Sequence, residues 1–150
     1  MTDEETSYAA VLRLFRAQSF LEARLGPSLA SVHGLALNEL MLLMHLARAP
    51  LQRLRRVDLA AMLNASQSTV TRMALPLEKT GFVKRESDPR DARVAYVVLT
   101  KAGRTIVDQA EDTLRRSSAE LFRDRWTGKD IATLGSLLGR FTAALPGDIP

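Results

Sequence analysis

Residues 57–79 read VDLAAMLNASQSTVTRMALPLEK, and their spacing decides the fold. Leu59, Met62 and Leu63, then Val70, Met73, Ala74 and Leu77, fall three and four apart. Those intervals place them on the inner faces of two consecutive helices. Asn64-Ala65-Ser66 lies between. Asn tolerates the left-handed backbone that ends a helix, and Ser accepts a hydrogen bond from the first turn of the next. Two short helices joined by a three-residue turn form a helix-turn-helix. With 70, 73, 74 and 77 turned inward, Gln67, Ser68, Thr71 and Arg72 lie outside, in the first turn and a half of the second helix. All four carry hydrogen-bonding groups. A helix of this kind reads the major groove of a duplex with its N-terminal residues. Gln can pair with adenine and Arg with guanine, while Ser and Thr anchor phosphates or read either base. A capped, polar helix start with no ligand is the plainer alternative.

The next segment, GFVKRESDPRDARVAYVVLT (81–100), is a hairpin. Gly81 ends the second helix at a position suited to left-handed backbone. Phe82-Val83 and Val94–Leu99 are strand-forming runs, and ESDPRDAR between them is a polar tip. On the second strand Val94, Tyr96 and Val98 alternate with Ala95, Val97 and Leu99 across the two faces. Asp88-Pro89 opens the turn, which needs no arginines. Yet Lys84 and Arg85 lie on the first arm, Arg90 at the tip and Arg93 just past it, with Asp91 two residues before Arg93. A hairpin following a recognition helix is a wing. An arginine at its tip can enter the adjacent minor groove, where the negative potential is enhanced.

Charge points the same way. The chain of 150 residues carries a formal net charge of +4. Residues 52–93 hold nine basic and five acidic side chains, and the remainder is balanced, so the whole excess lies in the middle third. A local positive excess suits a polyanion surface, and a solvated face is the alternative. The chain has no cysteine, which excludes disulfides, thiolate metal sites and cysteine redox sensing. No apolar run approaches the roughly 18 residues of a membrane helix. The acidic start MTDEETSYAA shows no signal peptide. A cytoplasmic protein with no membrane partner is therefore expected.

Helices flank the central module. Periodicity begins near Ser7, after a polar stretch (1–6) expected to fray. Tyr8, Val11, Leu12, Phe15, Leu21 and Leu25 mark one face. Gly26-Pro27 is expected to interrupt this helix, with Pro27 opening a second short one that Gly34 ends. LNELMLLMHLA (37–47) reads as a buried helix that Pro50 closes, lacking a capping side chain at Ala36 at a cost of about 1 kcal/mol. Leu51–Arg55 is a candidate short strand. Thr100 caps a long helix from Lys101 to about Arg125. A last helix runs from Gly128 to about Leu145, before a loose PGDIP tail. Leu12, Phe15, Leu114, Leu121, Phe122, Leu134, Leu138 and Phe141 exceed what one small module can cover. A symmetric homodimer would cover them, a monomeric bundle being the alternative.

From Asp58 to Arg104 the chain matches DLAxxLNxSxSxVTRxxxxLEKxGFVxRxxDPxDxRxxxVxLTxxGR. With this combination the chain resembles the MarR family of winged-helix transcriptional regulators, closely over about a third of its length and in helix order over the rest. The resemblance implies a mostly α fold with a small β-hairpin wing, in a single domain spanning 1–150. Its DNA-binding lobe would span about 35–100, and its dimerisation helices about 7–33 and 101–145. It implies a homodimer on a pseudo-palindromic duplex, usually a repressor released by a small aromatic or anionic effector. The family's reading helix maps onto Ser66, Gln67, Ser68, Thr69, Thr71 and Arg72. Its wing maps onto Lys84, Arg85, Arg90, Asp91 and Arg93, with Arg93 the minor-groove finger. Leu75-Pro76 departs from the family's polar or basic residues. Pro76 cannot donate to the Arg72 carbonyl, and a kink is expected there.

The resemblance also implies an effector pocket between the dimerisation helices and the lobe, for which Arg16, Phe20, His33, Met44 and His45 are candidates. A core role for His45 and the methionines is the competing reading. Nothing supports catalysis. The two histidines have no metal-ligand spacing, and no nucleophile elbow or phosphate loop occurs. Neither a metal nor a cofactor is expected. The alternative function is a winged-helix adaptor or anti-repressor that binds protein. Such a face would favour aromatic and aliphatic anchors, and here only Leu75 is apolar and exposed.

Overall fold

The structure is a computed structural model describing residues 1–150. Six helices and a three-stranded sheet follow in the order α1 (Asp3–His33), α2 (Leu37–Arg48), β1 (Arg53–Arg55), α3 (Arg56–Met62), α4 (Gln67–Lys79), β2 (Val83–Ser87), β3 (Ala95–Leu99), α5 (Lys101–Leu121) and α6 (Gly128–Thr142). The fold is a winged helix-turn-helix lobe with a long helix before it and two after. No single helix is long and apolar enough to cross a membrane.

The core is built around α2. Leu40, Leu42, Leu43 and Leu46 are wholly buried there, joined by Leu29 of α1, Leu59 of α3, Val70 and Leu77 of α4, and Val107 and Ala110 of α5. Each buried leucine contributes about 1.5–3 kcal/mol of transfer free energy, so α2 is the anchor on which the reading elements are mounted. Its missing cap is compensated in part, because the Ala36 N–H donates to Glu39 Oε2 at 2.9 Å. At its other end Arg104 of α5 donates to the Ala47 carbonyl at 3.2 Å.

The sheet is antiparallel with order β1-β3-β2. The hairpin forms, but its first arm runs Val83–Ser87, so Glu86 and Ser87, expected in the tip, pair with Tyr96 and Ala95. Arg53–Arg55 is a genuine third strand, pairing Arg53 with Val98 and Arg55 with Tyr96. Leu51 and Gln52, expected at the start of that strand, instead form a tight turn with positive φ, 58° and 51°. Asn64, at φ 49°, takes the left-handed conformation expected of it.

Several expectations fail at the periphery. Residues 1–6 do not fray. Thr2 and Glu5 form a reciprocal capping box, and α1 begins at Asp3. Gly26-Pro27 does not break α1. Pro27 denies a donor to one carbonyl only, that of Ala23, and the helix holds because Leu29 is sealed into the core one half-turn later. Gly34, at φ 66°, closes it. Pro76 lies within α4, which runs Gln67–Lys79 on both sides of it. Helix α5 stops at Leu121, short of Arg125. Phe122 packs edge-on against Trp126 at 5.3 Å across the turn, and a Thr127–Asp130 capping box starts α6. The tail is not loose, since Gly147 abuts the His45 ring and Ile149 packs on the core.

Candidate nucleic-acid interface

Helix α4 starts where Ser66 caps it, Ser66 Oγ accepting from the Thr69 N–H at 3.1 Å. That cap extends into a network. Ser66 Oγ lies 2.9 Å from Thr69 Oγ1 and 3.0 Å from Ser68 Oγ, and Arg72 Nη2 donates to Thr69 Oγ1 at 3.2 Å. Thr71 is occupied differently. Its hydroxyl donates to the Gln67 carbonyl and accepts from Arg56 Nη1, both at 3.0 Å. The hydroxyl proton of Thr71 is therefore unavailable to an outside acceptor. Of the residues expected on the reading face, Gln67 alone makes no side-chain hydrogen bond within the chain, and it is exposed at the first position of the helix.

The wing stands beside this helix. Its tip is an Asx-type turn in which Asp88 Oδ1 accepts from the Arg90 N–H at 2.7 Å. That bond, with the Tyr96 hydroxyl and Arg53 adding to it, holds the Asp88 carboxyl below its ordinary value. Asp91 Oδ1 accepts from both the N–H of Arg93, at 3.0 Å, and its Nε, at 3.2 Å. The guanidinium is thereby aimed while its side chain stays 92% exposed. A shallow depression between α3, the start of α4 and the wing is lined by Arg55, Arg56, Gln67 and Arg93 among others. Recognition helix and wing tip thus share one basic hollow.

The other basic residues divide. Strand alternation puts Lys84 and Arg85 on opposite faces of β2. Lys84 is exposed. Arg85 turns towards α4 and pairs with Glu78 at 2.8 Å, so it is engaged within the lobe rather than presented freely. Arg90 is exposed at the tip. Arg56 was not singled out from the sequence, although it ties the first helix of the pair to the recognition helix. Its only sequence signal was the Arg55-Arg56 pair directly before α3.

The five effector candidates do not converge within the chain. His33 Nε2 lies 2.7 Å from Thr113 Oγ1 and bridges α1 to α5. Met44 and His45 are buried in α2. Burial depresses the His45 pKa, helped by Arg48 and opposed by Asp148 of the tail. Phe20 lies far along α1 with Arg24 over its ring at 5.2 Å, bordering a cavity of about 590 Å³ beside Leu121, Phe122, Trp126 and Leu134. Arg16 is exposed on α1.

Residues 35–95 match the sequence profile of the MarR family. An uncharacterized HTH-type transcriptional regulator of Bacillus subtilis (strain 168), YxaD, is 31% identical over 87 residues, a match spanning 58% of this chain and 60% of the relative. Sco3205, a MarR family transcriptional regulator from Streptomyces coelicolor solved in complex with DNA, superposes with a TM-score of 0.81 at 28% identity, over 95% of this chain and 88% of that one. A mutant MarR from E. coli complexed with operator DNA shares the fold, with a TM-score of 0.76 at 24% identity over 93% and 99% of the two chains. The lobe at residues 35–95 matches the MarR family profile, and the whole chain shares the fold of solved MarR family regulators.

Proposed function

We propose that the protein is a DNA-binding transcriptional regulator. As a homodimer it places α4 in successive major grooves of a pseudo-palindromic duplex and Arg93 in the flanking minor grooves. One observation carries this reading: Arg93, oriented by Asp91 yet almost fully exposed, opens onto the same basic hollow as the first residue of the recognition helix. The bond from Arg93 Nε to the Asp91 carboxylate restrains the direction of an otherwise solvated charge. Sco3205, which shares this fold at 28% identity, was solved in complex with DNA, which supports a DNA-binding role. On the reading helix Gln67 and Arg72 are the base-reading side chains, while Ser66, Ser68, Thr69 and Thr71 shape the helix start. On the wing Lys84 and Arg90 meet backbone phosphates.

The dimer is supported by what a single chain leaves bare. Helix α6 has no buried residue, and Ile131, Leu137, Leu138 and Phe141 are exposed on it. Tyr8, Val11, Leu12 and Phe15 form a matching exposed row on α1. Paired apolar stripes of this extent mark an interface. Repression relieved by a small aromatic or anionic effector, in a cytoplasmic protein, follows from the family resemblance. The adaptor alternative keeps one observation in its favour, the exposed Leu75 on α4.

The test is selection of duplexes from a random-sequence library by the full chain, then anisotropy titrations at two salt concentrations. A tight, enriched site is expected. Arg93→Ala should weaken it by about 1–3 kcal/mol while leaving thermal unfolding unchanged. Equal affinity for every duplex would favour the adaptor. Unchanged affinity in Arg93→Ala would remove the minor-groove role.

A further inference from the structure

The outer face of the wing carries a chain of contacts that the recognition surface does not use. Arg53 projects from β1, the strand that leads directly into the helix-turn-helix. Its guanidinium lies 4.3 Å from the centroid of the Tyr96 ring on β3, and its Nη1 pairs with Glu86 Oε1 on β2 at 3.2 Å. One side chain therefore straps all three strands in their order β1-β3-β2. The Tyr96 hydroxyl continues the strap by donating to Asp88 Oδ2 at 3.2 Å. Asp88 in turn builds the tip. It accepts from the Arg90 N–H, and its own N–H donates to the Val94 carbonyl at 3.0 Å. The Val94 N–H donates to the Asp91 carbonyl at 3.0 Å, and the Asp91 carboxylate holds Arg93.

We infer that Arg53 and Tyr96 are positioning residues for DNA recognition: they fix the attitude of the wing, and so the aim of Arg93. The inference rests on the DNA-binding reading above. Apolar packing through Val97, Val98 and Leu99 of β3 holds the base of the wing, but it does not reach the outer arm. On β2 only Val83, at the base, is buried, and the four residues beyond it are exposed. An unsupported two-stranded extension is marginal in water and would sample many directions. The strap joins the tip instead to β1, which is continuous with α3, so wing and helix-turn-helix keep one relative orientation. Arg53 is paired with Glu86 and stacked on Tyr96, which makes it a poor phosphate contact and a good fastener. An aimed finger loses less freedom on entering a groove than one that must be ordered by binding.

The decisive variant is Tyr96→Phe, which removes one hydroxyl and keeps ring, charge and fold. The probes are a duplex enriched by the wild-type protein from a random library and a random-sequence duplex of equal length. Tyr96→Phe should bind the enriched duplex roughly two- to tenfold more weakly. Its affinity for the random duplex should change by less than about twofold, and its salt slope should not change, because no phosphate contact is lost. Its thermal midpoint should stay within about 2 °C. In an Arg93→Ala background the added effect of Tyr96→Phe should vanish, since the brace acts through that arginine. Arg53→Lys, which keeps the charge but not the planar stack, should show the same selective loss. Full affinity of Tyr96→Phe for the enriched duplex would overturn the brace. So would an equal loss on both duplexes, or an undiminished loss in the Arg93→Ala background. A wild-type protein that enriches no duplex would overturn the DNA reading itself, and the brace with it.

Discussion

Of the two proposed base-reading side chains, Gln67 is the one with no partner inside the chain. The hydroxyls around it are engaged within the chain, Ser66, Ser68 and Thr69 with one another and Thr71 with Arg56 and the Gln67 carbonyl. Arg72 is steadied by Thr69. The Gln67 amide alone is unengaged, and it sits in the hollow that Arg93 also lines. A glutamine amide presents a donor and an acceptor side by side, the match for N7 and N6 of adenine. Selected duplexes should therefore carry adenine at one symmetric position in each half-site. Gln67→Ala should erase that preference alone, a discrimination of about 1–3 kcal/mol. Gln67→Glu, an acceptor only, should move it towards cytosine, whose N4 is a donor. Sequencing the duplexes enriched by each variant decides the point, and an identical preference in Gln67→Ala would remove Gln67 from base reading. The sequence offered Gln67 as one of several outward candidates and did not single it out. Periodicity showed which side chains face outward, but not which of them are already occupied.

At the scale of elements, two joints hold the lobe to its flanking helices. Gly103 packs so tightly under the β2 side of the wing that an added methyl would overlap the Phe82 carbonyl and the Leu99 side chain. A backbone carbonyl that also accepts from Thr100, N–H and hydroxyl both at 3.0 Å, cannot move aside. Gly103→Ala should therefore destabilise the fold by about 1–3 kcal/mol in denaturant titration. The second joint is the tail over α2. His45 is kept neutral by burial, so its folded pKa lies below the ordinary value of 6.5. As pH falls through about 6.5 the unfolded chain binds the proton first. Stability drops until the folded pKa is also passed. Thermal midpoints should fall between pH 7.5 and 5.5, and His45→Gln should flatten that part of the profile. The helix-turn-helix, its caps and the hairpin were legible because each is specified by residues a few positions apart, as in Asn64-Ala65-Ser66 or Asp91-Ala92-Arg93. The unbroken α1, the docked tail and the strap of Arg53 over Tyr96 were not. Each depends on a partner distant in sequence, which overrides the local preference of Pro27, Gly147 or an isolated arginine.

For the molecule as a whole, the distribution of burial supports the proposed second copy. Helix α1 has 31 residues and would span about 46 Å at the rise of an α-helix. Its first half is almost wholly exposed, leaving Val11, Leu12 and Phe15 in water, as α6 leaves Leu137, Leu138 and Phe141. Phe141 is 70% exposed near the end of α6. In a two-fold dimer these stripes would close on each other, and each lobe would be held at a set distance from its mate, which a palindromic site demands. Joining two weak half-site contacts then multiplies affinity through effective concentration, without any new contact to DNA. Leu138→Glu combined with Phe141→Glu places two charges in that seam and leaves every buried residue of the lobe untouched. Sedimentation equilibrium should show a dimer for the wild-type protein and a monomer for the double variant. The thermal midpoint of the wild type should rise with protein concentration, and that of the variant should not. The variant should keep its weak, salt-sensitive attraction to any duplex and lose tight binding to the enriched one. A wild-type chain that sediments as a monomer at micromolar concentration would sink the dimer. A charged variant that still binds the enriched duplex tightly would show that one lobe suffices.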